Sequence, residues 1–169
     1  MDFLFKVFKK NSNLTEKAHC IASLFNQAEH QWIRKDKAFS DSLIRFLNLI
    51  PLNDLRDLIE KKGLLLLYCG AKMGCSFYSY KNRELILIFP DLYNLMVSAQ
   101  FRQAHAVLAH EIGHAIHEHS KKKISASRAQ KEADQYAWSL GLGEELIQVL
   151  QVEAPHEEAF ERIFALKSI

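Results

Sequence analysis

One stretch of the sequence constrains the fold more than any other. The segment from Ser98 to Ser120 contains no proline and a single glycine, Gly113. Its apolar residues recur at intervals of three and four, the spacing that gives an α-helix an apolar face: Ala104, Val107, Leu108, Ile112, Ala115 and Ile116. This pattern predicts one long helix, on which the functional interpretation depends.

The middle of this helix carries an HExxH pattern at positions 110–114. Residues four apart on an α-helix lie one above the other, so the imidazoles of His110 and His114 can bind one Zn²⁺ ion at about 2.0–2.1 Å. Glu111 lies at the adjacent edge, where its carboxylate can accept a proton from water on the metal. The alternative is two unrelated surface or core histidines, but the spacing favours the zinc site.

A catalytic zinc ion normally has three protein ligands, so a third must come from elsewhere. His117 lies nearly two turns from His110, so we expect it to be near the metal without binding it, or to be solvated. The next helix offers the carboxylates of Glu132 and Asp134, and the 18 positions after His114 are enough for a loop and a returning helix. The other histidines show no ligand spacing and are expected to be structural or solvated: His19, His30, His105, His119 and His156.

With these features the chain resembles the gluzincin metallopeptidases, above all the compact ImmA/IrrE type, with a more distant likeness to the HtpX-type membrane peptidases. The resemblance covers about residues 64–140: an apolar strand, the HExxH helix and a helix with the sequence Glu-Ala-Asp at 132–134. It implies a zincin-like fold, His110 and His114 as zinc ligands, and Glu111 as the catalytic base. The ImmA/IrrE likeness also implies a protein substrate.

The sequence departs from this family at the expected third ligand. The metal-binding acid of the family usually lies four residues before the Asp of the second helix, and here that position is Gln130. Glu132 could bind in a shifted register, Gln130 and Asp134 could share the role, or the site could be partly degenerate. We favour Glu132 as the ligand, with Asp134 orienting a histidine. Tyr136 could donate a hydrogen bond to the oxyanion, although core packing is the commoner role.

Helical periods also occupy the first sixty residues and the C-terminal third of the chain. Strands are predicted at 64–68, 75–80 and 84–89, and the last two are close enough to form a hairpin. We therefore expect one α+β domain, residues 1–169, mainly helical with a small, mostly antiparallel sheet before the HExxH helix.

The third strand is also a candidate substrate-binding segment. Its residues could pair with an extended substrate if the strand lies at the sheet edge: Glu84, Leu85, Ile86, Leu87 and Ile88. Its continuous apolar character fits a strand covered on both faces equally well.

Composition excludes several other classes of protein. A formal charge of +2 over 169 residues does not predict nucleic-acid binding. No apolar run approaches the roughly 20 residues that cross a bilayer, and three scattered cysteines favour a reducing compartment, the cytoplasm. The N-terminus could make weak contact with a membrane surface, although packing on the core is the simpler expectation. Its apolar and basic residues are Phe3, Phe5, Val7, Phe8, Lys6, Lys9 and Lys10.

Together these features predict a zinc-dependent endopeptidase that hydrolyses a peptide bond in a protein substrate with metal-activated water. The alternative is a catalytically weak or inactive zinc-binding module that recognises a protein partner, and Gln130 at the expected ligand position supports it. A DNA-binding regulator is disfavoured by the nearly balanced charge.

Overall fold

A computed structural model of the chain describes residues 2–70, 75–80, 83–153 and 157–169. The helices are α1 (Asp2–Asn26), α2 (Gln31–Lys35), α3 (Lys37–Leu47), α4 (Leu52–Arg56), α5 (Pro90–Met96), α6 (Phe101–Ile116), α7 (Ala126–Ser139), α8 (Gly143–Glu153) and α9 (Glu157–Leu166). The strands are β1 (Leu65–Tyr68), β2 (Cys75–Tyr80) and β3 (Arg83–Ile88). The described part is therefore mainly helical with a small sheet, as predicted.

The sheet is mixed, with the strand order β1-β3-β2. The predicted hairpin is present, because β2 and β3 pair antiparallel with Cys75 opposite Ile88. However, β1 and β3 pair parallel, with Leu65 opposite Leu85, so the prediction of a mostly antiparallel sheet is wrong. Short spacing predicts that two strands form a hairpin, but it does not tell which of them lies beside an earlier strand.

β3 is the central strand, so of the two alternatives for this segment the one that needs an open sheet edge for substrate does not apply. The backbone of residues 85–88 pairs with β1 on one side and with β2 on the other. The Glu84 N–H donates to the Lys62 carbonyl at 2.9 Å. Of the candidate residues Glu84, Leu85, Ile86, Leu87 and Ile88, the first, third and fifth are buried and the others are half-buried. The covered-strand alternative therefore describes β3.

One helix was missed from the sequence. No helix was predicted directly after the third strand, but Pro90 begins α5 at the first helical position. Proline is favoured there because the first N–H groups of a helix have no partner within the helix, so the absence of the proline N–H costs nothing. The fixed φ of proline also suits a helix. α5 matters for function because Asp91, Leu92 and Leu95 line the cavity described below.

Two buried histidines have the structural role that we expected. The ring of His30 contacts the Leu24 carbonyl at 2.6 Å through Nδ1 and accepts the Leu66 N–H at 2.9 Å through Nε2. His105 Nε2 lies 3.1 Å from the Ser42 hydroxyl, and burial lowers the pKa of His105 to about 4. Both rings therefore join α6 or β1 to the N-terminal helices as neutral hydrogen-bonding groups.

The contact between α6 and α7 is unusually close at Gly113. A Cβ atom on Gly113 would lie 2.9 Å from the Cα atom of Ala133 and 3.0 Å from the Ala133 carbonyl oxygen. Ala133 and Ala137 are fully buried, so small residues on both helices allow this approach. The close contact brings the acidic residues of α7 beside the HExxH residues of α6.

Candidate metal centre

The two histidines of the HExxH pattern converge on one point. His110 and His114 project from successive turns of α6, and their Nε2 atoms are 3.1 Å apart. The ring planes are nearly perpendicular, at 89°. Two nitrogen atoms bound tetrahedrally to the same zinc ion lie about 3.3–3.4 Å apart. The pair is therefore close to the geometry that a shared zinc ion needs.

Asp134 and Arg162 hold the ring of His110. Asp134 Oδ1 lies 2.7 Å from His110 Nδ1, and Arg162 donates to Oδ2 at 2.8 Å and to Oδ1 at 2.7 Å. Burial acts to raise the pKa of Asp134, but the hydrogen bonds from Arg162 and His110 outweigh it and lower the pKa. The ionised carboxylate keeps the proton on Nδ1, which leaves the Nε2 lone pair available to a metal. This contact supports the prediction that Asp134 orients a histidine.

Arg162 is a site residue that sequence reasoning missed. It comes from α9, 52 positions after His110, and its side chain is 14 % exposed. No local spacing connects an arginine in the last helix with a motif in α6. Only the packing of α9 against α7 brings its guanidinium group to Asp134.

His119 also joins the site, so the expectation that it is merely structural or solvated is corrected. Its Nδ1 lies 2.7 Å from His114 Nδ1, and its Nε2 lies 2.9 Å from Glu132 Oε2. α6 ends at Ile116, and Glu118 adopts a left-handed conformation with φ of 54° that turns the chain back. Because the sequence has neither glycine nor proline at this turn, a continued helix was expected.

Glu132 contacts His119, which in turn contacts His114, so the ring of His119 lies between Glu132 and the histidine pair. Its Oε2 contacts His119, and its Oε1 accepts a hydrogen bond from Arg128 Nε at 2.7 Å. The hydrogen bond from Arg128, followed by that from His119, lowers the pKa of Glu132 to about 2. Direct binding of Glu132 to the metal stays a prediction, and neither of these two contacts of its carboxylate is to His110 or His114.

Burial and the neighbouring rings keep His114 neutral. Burial, followed by the charges of His110 and His119, lowers the pKa of His114 to about 4. If Nε2 carries the lone pair for a metal, Nδ1 carries the proton and donates it to His119 Nδ1. His119 Nε2–H then donates to Glu132, so the run of hydrogen bonds ends on an ionised carboxylate.

Beside the histidine pair lies a cavity of about 490 Å³. Its polar lining comes from Asp91, His110, Glu111, Gln130 and Arg162. Its apolar lining comes from Leu92, Leu95, Val107, Leu146, Val149 and Leu150. Burial raises the pKa of Glu111, which makes its carboxylate a stronger base than an exposed one.

Gln130 presents an unsatisfied oxygen at this cavity. Its Oε1 atom is buried and has no hydrogen-bond partner among the described residues. Buried polar atoms are nearly always paired, and an orphaned one often marks a binding position for an ion or water. An amide oxygen can bind a cation without carrying charge, so Gln130 suits a weak third ligand.

Tyr136 and His117 contact residues other than His110 and His114. The Tyr136 hydroxyl donates to Asp54 Oδ2 at 3.1 Å, and burial raises the pKa of the phenol. This matches the core-packing alternative for Tyr136. The ring of His117 stacks on His119 with centroids 5.4 Å apart and planes 12° apart. Ligand atoms of His117, His119 and Glu132 all lie within 4.8 Å of one another.

Comparison with known proteins gives one family. The sequence model of peptidase family M48 matches residues 76–163, which are 88 of the 169 residues. Comparisons with curated proteins and with solved structures gave no match. Among the helices that the structure describes, none is both long and apolar enough to cross a bilayer.

The match bears on the two resemblances drawn from the sequence. It supports a zinc metallopeptidase of the gluzincin type, whereas nearness to the ImmA/IrrE type is not confirmed. The matched segment contains α6, which provides the two imidazoles, and α7, which provides Asp134 and Glu132. Because the family model spans more than half of the chain, including both helices of the metal centre, the protein belongs to peptidase family M48.

Proposed function

We propose that the protein is a zinc-dependent endopeptidase that hydrolyses peptide bonds in protein substrates. The observation that carries this proposal is the 3.1 Å approach of the Nε2 atoms of His110 and His114. Glu111, which follows His110 in α6, lines the adjoining cavity. Two imidazoles that share a point beside a buried carboxylate are suited to metal-assisted hydrolysis.

His110 and His114 would hold the metal through Nε2, and Gln130 Oε1 supports a third contact because it is buried and unsatisfied. Gln130 lines the same cavity as His110, whereas the two oxygens of Glu132 contact His119 and Arg128, and this difference supports Gln130 over Glu132. Zinc bound there would act as a Lewis acid on the scissile carbonyl and on the attacking water. A neutral amide attracts the ion less than a carboxylate does, so we expect weaker binding than a glutamate would give.

The residues around the metal site have separate roles in the proposed reaction. Glu111 would take the proton of the attacking water and pass it to the leaving amine. Asp134 holds His110 in the metal-binding tautomer, and Arg162 keeps Asp134 ionised. The apolar wall of the cavity, with Leu92 among its residues, suits an apolar side chain of the substrate.

Removal of the metal tests this function. We expect a chelator to abolish cleavage of a fluorescently labelled, unfolded protein, and one equivalent of zinc to restore it, because the carbonyl and the water then regain their Lewis acid. The measurement is the increase in fluorescence with time, with circular dichroism to show that the chelated protein stays folded. Continued cleavage by folded, metal-free protein would contradict the proposal.

The third ligand can be tested by its charge. Gln130→Glu should raise the zinc affinity about tenfold or more, because a carboxylate replaces a neutral amide beside the cation. The measurement is competition for one equivalent of zinc against a chromophoric chelator. Glu132→Gln is the matched variant and should change this affinity much less.

The opposite pattern, a large loss of zinc affinity in Glu132→Gln and no change in Gln130→Glu, would restore Glu132 as the third ligand.

The second candidate function, an inactive zinc-binding module that recognises a protein partner, is favoured by Gln130 alone. Cleavage by Gln130→Glu but not by the zinc-loaded wild type would support it.

The single domain over residues 1–169 and the cytoplasmic location remain part of the proposal, and the free thiols of Cys20 and Cys69 are consistent with a reducing compartment.

A further inference from the structure

We propose that His117, His119 and Glu132 form a second cation site, distinct from the pair of His110 and His114, that binds zinc or a similar transition-metal ion. The proposal does not depend on peptidase activity. One ligand atom from each of the three residues lies within 4.8 Å of the others, and all three residues are half-buried. We call this group the outer site.

The backbone brings the three side chains to one place. Glu118, between the two histidines, has a φ of 54°, so His117 and His119 point to the same side although they are two residues apart. Their rings stack at 12°, and Glu132 reaches them from α7. A positive φ at a non-glycine residue is uncommon and persists only where the surrounding structure supports it. Here Lys62 supports it by donating to the Ala115 carbonyl at 2.9 Å, at the end of α6.

The donor set indicates which ion this site would take. His119 Nε2 and Glu132 Oε2 are already 2.9 Å apart. Ligand atoms around a tetrahedral zinc ion lie about 3.3–3.4 Å apart, so this pair must separate by about 0.4 Å and the other separations must shorten by at most about 1.5 Å. Two imidazoles and one carboxylate suit zinc and its neighbours in the transition series, whereas magnesium and calcium prefer oxygen ligands.

Arg128 sets the strength of this site. Its Nε donates to Glu132 Oε1, so the carboxylate has Oε2 directed toward His119. The guanidinium group keeps Glu132 in place but also opposes a second positive charge nearby. Arg128 is largely exposed, with a side-chain accessibility of 69 %, so it can be replaced with little effect on the core.

The outer site and the histidine pair are coupled through one hydrogen bond. His114 Nδ1 and His119 Nδ1 are 2.7 Å apart, and a single proton lies between them. A metal on His114 Nε2 requires that proton on His114, whereas a metal on the Nε2 atom of neutral His119 requires it on His119. With both ions bound, two N–H groups would face each other, so the second ion should bind more weakly than the first.

Titration of the metal-free, full-length protein with zinc tests the outer site. We expect two ions per chain by calorimetry, the second with lower affinity. His117→Ala should bind one ion, and Arg128→Gln should bind the second ion several-fold more tightly. His19→Ala removes an exposed histidine of α1 and should bind two ions. Loss of the fold cannot raise the affinity for zinc. A gain of zinc affinity in Arg128→Gln therefore supports the outer site even if His117→Ala is destabilised.

A wild-type titration that ends at one ion, with that ion retained in His117→Ala, would overturn the proposal, as would a second ion that persists unchanged in His117→Ala. The double variant His110→Ala/His114→Ala separates this inference from the proposed function. It should lose the tight ion and keep the outer one. If the histidine pair binds no zinc, the outer site still gives its own binding step in this variant.

Discussion

Glu111→Gln should lower kcat/KM for an unfolded protein substrate by about 10³-fold while zinc remains bound. The substituted amide has nearly the same shape as the carboxylate but cannot accept a proton from the attacking water, and general-base catalysis typically contributes 10²–10⁴-fold. Glu111 lines the cavity beside His110, and burial raises the pKa of its carboxyl group, and both observations support the proposed role. The rate and the zinc stoichiometry should be measured on the same preparation.

Glu144→Gln is the control for this variant, because Glu144 is an exposed glutamate at the start of α8. It should cleave at the wild-type rate. Undiminished cleavage by Glu111→Gln would remove Glu111 as the base. Loss of zinc together with activity would instead make Glu111 a metal ligand, because a base that only moves protons does not hold the ion.

Gly113→Ala should lower the free energy of unfolding by about 3 kcal/mol, the cost expected for overpacking a tight interface. Helix propensity alone predicts the opposite sign, since alanine stabilises a helix interior by about 1 kcal/mol relative to glycine. The added methyl group would lie 2.9 Å from the Ala133 Cα atom and 3.0 Å from the Tyr136 Cβ atom. Because the first of these is backbone, the conflict can be relieved only by moving α7 away from α6.

Urea denaturation followed by circular dichroism measures this change. Gly70→Ala is the control, because a Cβ atom there would meet nothing within 4 Å and the stability should change by only a few tenths of a kcal/mol. The displaced α7 also carries Asp134, so Gly113→Ala should bind zinc more weakly at the histidine pair. A variant as stable as the wild type would show that α7 is not held at so short a distance from α6.

The part of the site that could be predicted from the sequence is the part that one helix determines. His110, Glu111 and His114 share α6, so a spacing of four residues was enough to bring the two imidazoles together. The proximity of Asp134 to a histidine was also expected, because the 18 positions after His114 are enough for a loop and a returning helix. These inferences used regular geometry within or between adjacent helices.

The features that were missed depend on the turn at Glu118 or on contacts distant in sequence. His119 reaches His114 because the helix ends after Ile116. The turn that follows contains no glycine or proline from which this helix end could be predicted. Arg162 reaches Asp134 only through the packing of α9, which has no local signature. The order of the strands likewise followed from the packing of the hairpin against β1 rather than from the length of any connection.

The link between Arg162 and Asp134 also bears on truncation. A chain that stops before α9 would place Asp134 in the α6–α7 contact without its guanidinium partner. A carboxylate enclosed without its counter-charge favours the protonated form, which no longer holds the ring of His110 in the metal-binding tautomer. We therefore expect a protein truncated before Glu157 to lack a properly oriented His110.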